Sequence, residues 1–372
     1  MNFDFSDEQK MLREQAHGFL RDKSPTAVAR QILEGDESFD RQLWQAIVDM
    51  GWTATRIPEE YGGLGLGSLE LCVIAEELGR ALAPTPFSSS VYLATDAIVM
   101  AGDEAQKQRW LPQLAAGEKI GTFALSEGPR AATERNILTT VQGDLISGVK
   151  CPVTDGDVAD FAVVVARGRE GLGWYLVELK SEGVRRRVVK SLDPTRSQAH
   201  LTFDNAPAEL LGEAGQGWQL TEKLYNRAAV LFAFEQVGGS LAALEQACEY
   251  AKNRYAFGRP IASFQAIKHK LADMYVAATL ARSNCYYGAW ALSTDAHELP
   301  VAAAAARVSA TDAYHQCAKE NIQTHGGMGY TWEFDCHLFY RRARALAVNL
   351  GNKWQWEDKL ISALENRGEV LA

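Results

Sequence analysis

The sequence contains no CxxC pair and no cysteine–histidine spacing of the kind that holds a metal. Its six cysteines (Cys72, Cys151, Cys248, Cys285, Cys317 and Cys336) read as small core residues in a reducing cytoplasm. Long apolar runs are also missing. Stretches such as Phe161 to Ala166 and Ala228 to Phe234 fall far short of the roughly 18 residues that cross a bilayer, so no membrane partner is expected. The opening MNFDFSDEQK carries three acids and lacks the basic–apolar–small order of a secretory signal. Positive charge is scarce: 38 Lys and Arg against 47 Asp and Glu leave a net −9, with the acids spread along the chain. That balance argues against nucleic acid as the main partner. A local basic run, Arg185-Arg186-Arg187, reads as a solvated strand. There is no internal repeat, no low-complexity segment, no Ser/His/Asp set and no paired-carboxylate site.

What is present is a chain of 372 residues, 47% hydrophobic and 23% charged, with room for two or three domains at roughly 150 residues each. Its periodicity changes twice. From Ser6 to about Gly117 the pattern is helical: Ser6 and Gln9 form a capping-box signature, followed by Leu12, Ala16, Phe19 and Leu20 on one face. Further helices are expected near Arg41–Met50, over Ser68–Leu82, and after Asp103, with Pro84 and Pro86 as breaks. From about Ile120 to Gly217 the signal turns to short β-branched and aromatic runs. These are Leu145–Thr154, Phe161–Arg167, Trp174–Lys180, Val184–Val189 and Ala199–Phe203. With no helices between them they predict a small barrel or sandwich rather than a parallel α/β sheet. From about Trp218 onward, Leu220–Asn253, Ser263–Thr294, Pro300–His325 and Asp335–Leu350 predict long alanine-rich helices packed as a bundle. The fold class is therefore α+β, mostly α. The expected domains are 1–119 (helical), 120–217 (β) and 218–372 (helical bundle).

Three clusters invite a chemical reading. Glycines 62, 63, 65 and 67 in IPEEYGGLGLG follow no strand and lack GxGxxG spacing, so they read as a tight connection between helices rather than a dinucleotide loop. Arg254-Tyr255-Ala256-Phe257-Gly258-Arg259-Pro260-Ile261 is a sharp break between two helices, with Gln265, Lys268 and His269 beyond it. It reads either as plain surface or as an anion clamp, since a guanidinium suits a pyrophosphate. In Gln323-Thr324-His325-Gly326-Gly327-Met328-Gly329-Tyr330 a helix ends, and the glycines allow close approach of a flat or charged group. His325 reads as a helix-end residue satisfying carbonyls rather than as an acid–base group.

The helices–β–helices order, IPEEYGGLGLG, RYAFGRPIASFQAIKHKLADM and QTHGGMGY together resemble the acyl-CoA dehydrogenases over essentially the whole chain. The resemblance implies an N-terminal helical domain, a central β-barrel and a C-terminal four-helix bundle. It also implies FAD held between the domains of one subunit and the bundle of a neighbour, in a dimer or tetramer. By that resemblance Arg254 meets the FAD pyrophosphate across the subunit interface, Phe257 and Gln265 line the adenosine half, and Gln323, Gly326 and Gly327 form the loop along the diphosphate. Thr154, after Val153, touches the isoalloxazine ring, and Ser126 reaches its pyrimidine side. Arg227 is placed near the thioester or CoA end of an acyl-CoA substrate. Electrons leave to an electron-transfer flavoprotein.

The chain also departs from that family. Relatives carry an acid-Pro-Gly-x-Gly-Ser-Asp loop where this chain reads SEGPRAATERN, with Ala132 at the serine, and Pro152 stands at the tryptophan that often shields the flavin. The base that removes the α-proton should be a desolvated carboxylate. Its two usual positions hold Asn352 and Ala228. Glu235, seven residues on from Ala228 in AAVLFAFEQVGG, is the remaining candidate, against the alternative of a carboxylate paired with a buried arginine. The expected activity is FAD-dependent dehydrogenation of an acyl-CoA to the trans-2-enoyl thioester, in a cytoplasmic homo-oligomer. The alternatives are a non-catalytic partner subunit of a related heteromer and, more remotely, a flavin monooxygenase or nitroalkane-type oxidase on the same fold.

Overall fold

The computed structural model describes residues 5–371. Residues 1–4, the start of the stretch lacking a secretory pattern, and residue 372 lie outside the described residues, at the two ends of the expected 1–119 and 218–372 segments. In chain order the helices α1 (Asp7–Lys23), α2 (Thr26–Glu34), α3 (Arg41–Asp49), α4 (Ser68–Arg80), α5 (Asp96–Ala101) and α6 (Glu104–Ala115) come first. A π-helical segment, Ser88–Thr95, leads into α5. Then follow β1 (Gly121–Ala124), β2 (Thr140–Gln142), β3 (Leu145–Thr154), β4 (Phe161–Gly168), β5 (Gly171–Glu178), β6 (Val184–Val188), β7 (Gln198–Pro207) and β8 (Glu209–Leu211). The chain closes with α7 (Gly217–Asn253), a hairpin of β9 (Tyr255–Ala256) and β10 (Arg259–Pro260), then α8 (Gln265–Ser293), α9 (Leu299–His325), α10 (Cys336–Leu346) and α11 (Lys353–Leu371).

The elements group into two compact units. One takes the chain up to Gln31, Ser68–Ala83 and everything from Ala229 on; the other takes Ile32–Gly67 and Pro84–Ala228. In the first, α1 starts as expected: the Ser6 hydroxyl accepts from the Gln9 N–H, and the Gln9 side chain accepts from the Ser6 N–H. The alanines of α9 (302, 303, 304, 306, 310, 313) are buried, and their small size lets α8, α10 and α11 pack close around them. The tightest approach is between α4 and α7. A Cβ on Gly238 would lie 1.8 Å from the Glu76 carbonyl oxygen, and one on Gly79 would lie 1.9 Å from that of Glu235. Only glycine allows backbones to touch in this way.

The second unit is built on an eight-stranded sheet in the order β6-β7-β3-β2-β4-β5-β8, with β1 parallel to β4. An isolated bridge between Glu127 and Cys151 takes the chain after β1 on to β3. That places β1 between β4 and β3 and curls the sheet toward a barrel, as its short strands and turn residues predict. Phe161 to Ala166 of β4 are fully buried, which explains their unbroken apolar run. Arg185 and Arg187 lie exposed on β6 at the sheet edge, where charged side chains block further strand pairing. The structure adds elements that the pattern does not announce: α2, the π-helix, α5, β1, β2, β8, the β9–β10 hairpin and α11.

Candidate functional site

Around Arg254 the sharp break is a two-residue hairpin. Ala256 pairs with Arg259 and Tyr255 with Pro260, so Phe257 and Gly258 form the turn, both left-handed at φ 54° and 75°. That is the type I′ geometry which matches strand twist. Glycine tolerates it freely, but an aromatic residue there costs on the order of 1 kcal/mol or more. The turn leaves the Phe257 ring 95% exposed, edge-on to Phe264, while the Arg259 guanidinium lies 4.1 Å over the Phe264 ring. Gln265 opens α8 and is exposed.

Beside the hairpin lies a cavity of about 410 Å³ lined by Tyr250, Arg254, Ile261, Thr324, His325 and the Gly326–Met328 turn. The floor is fixed by His325, whose Nδ1 hydrogen-bonds with the Asn321 carbonyl oxygen at 2.8 Å and whose ring stacks 4.1 Å from Tyr250. Burial pushes the His325 imidazole below its usual range, with the Asn321 carbonyl opposing. Exposed Gln323 accepts the Gly326 N–H at the end of α9. Gly326 is left-handed at φ 62°. Gly327 is not, and nothing lies within 4 Å of a Cβ placed on it. The chain's own packing therefore does not require glycine at 327, although a group settling on this turn would. Arg254 is exposed and has no ion-pair partner among the described residues. An open cradle, an unengaged guanidinium and a strained exposed aromatic fit a dinucleotide's diphosphate and base.

In the other unit Ser126 follows β1, and its carbonyl accepts the Cys151 N–H at 2.8 Å. Thr154 ends β3 opposite Gln198. The Thr154 hydroxyl and the Gln198 amide lie 3.2 Å apart, and the Thr154 carbonyl accepts from the Thr122 hydroxyl at 2.6 Å. Ser126 and Thr154 are thus held by neighbouring strands of one sheet, half-buried and hydroxyl-bearing. Beyond Thr154, Asp155 is buried and accepts from the Ser89 hydroxyl at 2.6 Å and from Ser197. Burial pushes its carboxyl up to about 6, against the pull of Arg196.

Arg227 donates to Asp96 at 2.8 Å, and Arg56 shares the same carboxylate at 2.7 Å. Glu235 is fully buried, its carboxylate 3.6 Å from the equally buried Arg342, while Arg342 also donates to the Leu82 carbonyl at 3.3 Å. Arg307 belongs to the same interior: it donates to Gln236 at 2.7 Å and to the Leu346 carbonyl. Burial lowers its guanidinium to about 10, with Glu235 opposing. Asn352 is a helix cap, trading hydrogen bonds of 2.9 and 3.0 Å with Gln355 at the start of α11, and Ala228 is buried. Sequence reasoning did not find Arg342, Arg307, Gln198 or Thr122. Their partners lie far away in the chain, and no local spacing marks them.

The chain was also compared with known proteins. Family models described as acyl-CoA dehydrogenase N-terminal domain and C-terminal domain match residues 6–118 and 215–353. Among relatives, the acyl-CoA dehydrogenase IpdE2 of Mycobacterium tuberculosis is 32% identical over 344 residues, 92% of each chain. Among solved structures, butyryl-CoA dehydrogenase from Megasphaera elsdenii is 28% identical with a TM-score of 0.89, covering 98% of this chain and 100% of the other. The ChsE4–ChsE5 complex from Mycobacterium tuberculosis is 26% identical with a TM-score of 0.89, covering 98% and 99%.

Proposed function

Because the chain belongs to the acyl-CoA dehydrogenase family, we propose that it binds FAD through two clusters, the one around Arg254 acting across a subunit interface. Arg254, Gly326, Gly327 and Gln323 take the diphosphate, and Phe257 and Gln265 the adenosine half. Ser126 and Thr154 address the flavin ring. The activity is flavin-dependent dehydrogenation of the CH–CH bond of an acyl-CoA. Bound FAD supplies the hydride acceptor. The residues of the chain bind and orient: guanidinium and close backbone for the diphosphate, fixed hydroxyls for the ring, and Arg227, steadied by Asp96, as the positive group toward the CoA end. The silent-subunit alternative is not favoured.

The observation that carries the cofactor assignment is the unengaged Arg254 lining the same cavity as Gly326 and Gly327. Arg254→Ala should leave helical content unchanged and weaken FAD retention. Charge-assisted contacts are worth about 1.5–3 kcal/mol, so roughly ten- to hundredfold loss is expected. Unchanged flavin occupancy on dilution would sink the assignment.

Glu235 is the carboxylate proposed for α-proton removal. The pair with Arg342 supports a second role, as the counter-charge of two buried arginines. Glu235→Gln separates the two. A base leaves FAD and acyl-CoA binding intact while bleaching slows about 10²–10⁴-fold. A counter-charge leaves bleaching fast in whatever folds and lowers stability, by roughly 3–5 kcal/mol for a broken buried pair.

In chain order we keep 1–119, 120–217 and 218–372 as sequence modules, while the two compact units group elements by packing. We place the protein in the cytoplasm, on the support of its six cysteines, none of which forms a disulfide. Only α7, among the described residues, is long and apolar enough to cross a membrane, and that stretch is mostly buried in the fold. An electron-transfer flavoprotein as electron acceptor, and assembly as a homo-oligomer or with a related subunit, complete the proposal.

A further inference from the structure

The loop after Ser126 is firmly closed. The Glu127 carboxylate accepts from the Leu138 N–H at 2.7 Å, the Thr139 N–H at 2.9 Å and the Thr139 hydroxyl at 2.7 Å. One side chain thus ties residue 127 to the far end of the loop. Inside it, Asn136 accepts from the Thr133 N–H at 2.8 Å and donates to the Ala131 carbonyl at 2.7 Å, and Arg167 donates to the Glu134 carbonyl at 2.6 Å. Beneath lies Lys150 of β3, whose side chain is fully buried. Its ammonium donates to Glu127 at 2.8 Å and to the Leu125 carbonyl at 3.0 Å. Ser126 therefore sits between two residues gripped by one lysine, while its own carbonyl takes the Cys151 N–H of the same strand.

We propose that Lys150 and Glu127 are positioning residues for the flavin ring: their buried ion pair fixes the backbone at Ser126. This rests on the assignment of Ser126 to the ring. A buried lysine is costly, and a short polar or apolar residue would fill a strand interior at less expense. Its retention is explained if the geometry at 125–127 matters. Burial pushes the Lys150 ammonium down to about 8, with Glu127 opposing, so the charge that closes the grip is lost as pH rises through that value. Glu127 is the charged group facing the ammonium. On β6, Arg187 acts instead on the neighbouring Cys151 thiol, which burial pushes up.

The test uses FAD-loaded protein and three variants: Glu127→Gln, Lys150→Met and the double variant. Expected for Glu127→Gln is about tenfold weaker FAD retention on dilution, with a changed visible circular dichroism of the bound flavin. The double variant, free of an unpaired buried charge, should regain thermal stability relative to Lys150→Met without regaining flavin affinity. Wild-type retention should fall above about pH 8, a limb the double variant lacks. If Glu127→Gln holds FAD within twofold of wild type, or the double variant recovers both properties, the pair only fills the strand interior and the proposal is overturned. Wild type that binds no FAD at all would instead bring down the cofactor assignment, and this proposal with it.

Discussion

The contact between α4 and α7 allows a prediction whose sign depends on geometry alone. Gly238→Ala puts a methyl group 1.8 Å from the Glu76 carbonyl oxygen, where carbon and its neighbours normally rest near 3.5 Å. The obstacle is backbone, so no rotamer change relieves it, and α4 must move outward by more than 1 Å. Glu76 and Glu77 move with it, straining the ion pair of Glu76 with Arg282 at 3.0 Å and the hydrogen bond of Glu77 with His17 at 2.9 Å. Overpacking costs typically 1–3 kcal/mol, and a backbone clash belongs at the upper end. Alanine returns about 1 kcal/mol of helix propensity, leaving a net loss of roughly 2 kcal/mol. Gly18→Ala is the control. Gly18 lies inside α1, and its Cβ would meet nothing within 4 Å, so the same exchange should stabilise by about 1 kcal/mol. At roughly 2 cal/mol/K per residue, a gap of about 3 kcal/mol between the variants is about 4 °C in thermal midpoint. Midpoints followed by circular dichroism on flavin-loaded protein decide it. Equal shifts, or a more stable Gly238→Ala, would refute the claim that these backbones touch.

Two further substitutions probe the site and its surroundings. Gly327→Ala should fold with unchanged stability, because its Cβ has open space, yet retain FAD about tenfold less well; equal retention, measured by flavin fluorescence on dilution, would show that nothing settles on that turn. The raised carboxyl of Asp155 means that the folded state favours its protonated form. Its stabilising contribution is complete below about pH 4 and lost as pH rises through about 6, an effect on the order of 2–3 kcal/mol. Wild type should therefore gain stability relative to Asp155→Asn when denaturation is compared at pH 7 and pH 4.5, and parallel behaviour would contradict this.

Much of the architecture is legible because it rests on local period. The β3 strand Leu145–Thr154 and the long helices α7, α8 and α9 emerge from alternation and alanine-rich runs within a few residues of their ends. The π-helix does not. Its Ser88-Ser89-Ser90 follows two prolines and shows no apolar period, and contacts with distant residues hold it: Arg196 donates to Ser88, Asp155 accepts from Ser89 and the Gly121 N–H donates to Ser90. The hairpin at 255–260 is hidden for a similar reason, since an aromatic in the first turn position is a poor I′ signal. At the site, Arg254 and the 326–327 glycines stand out by residue type. The partnership of Glu235 with Arg342 spans more than a hundred residues, as no periodicity can. The grip of Lys150 on Glu127 is equally invisible: a lysine in a strand reads as solvent-facing, and only the fold turns it inward.

The activity of this chain is the dehydrogenation of an acyl-CoA with FAD. It is tested most directly by mixing purified, flavin-loaded protein anaerobically with a panel of straight, branched and cyclic acyl-CoA thioesters while the flavin absorbance is followed. At least one thioester should bleach the flavin rapidly, with the 2-enoyl-CoA appearing in equal amount. Flavin that stays fully oxidised with every member of a broad panel would contradict it.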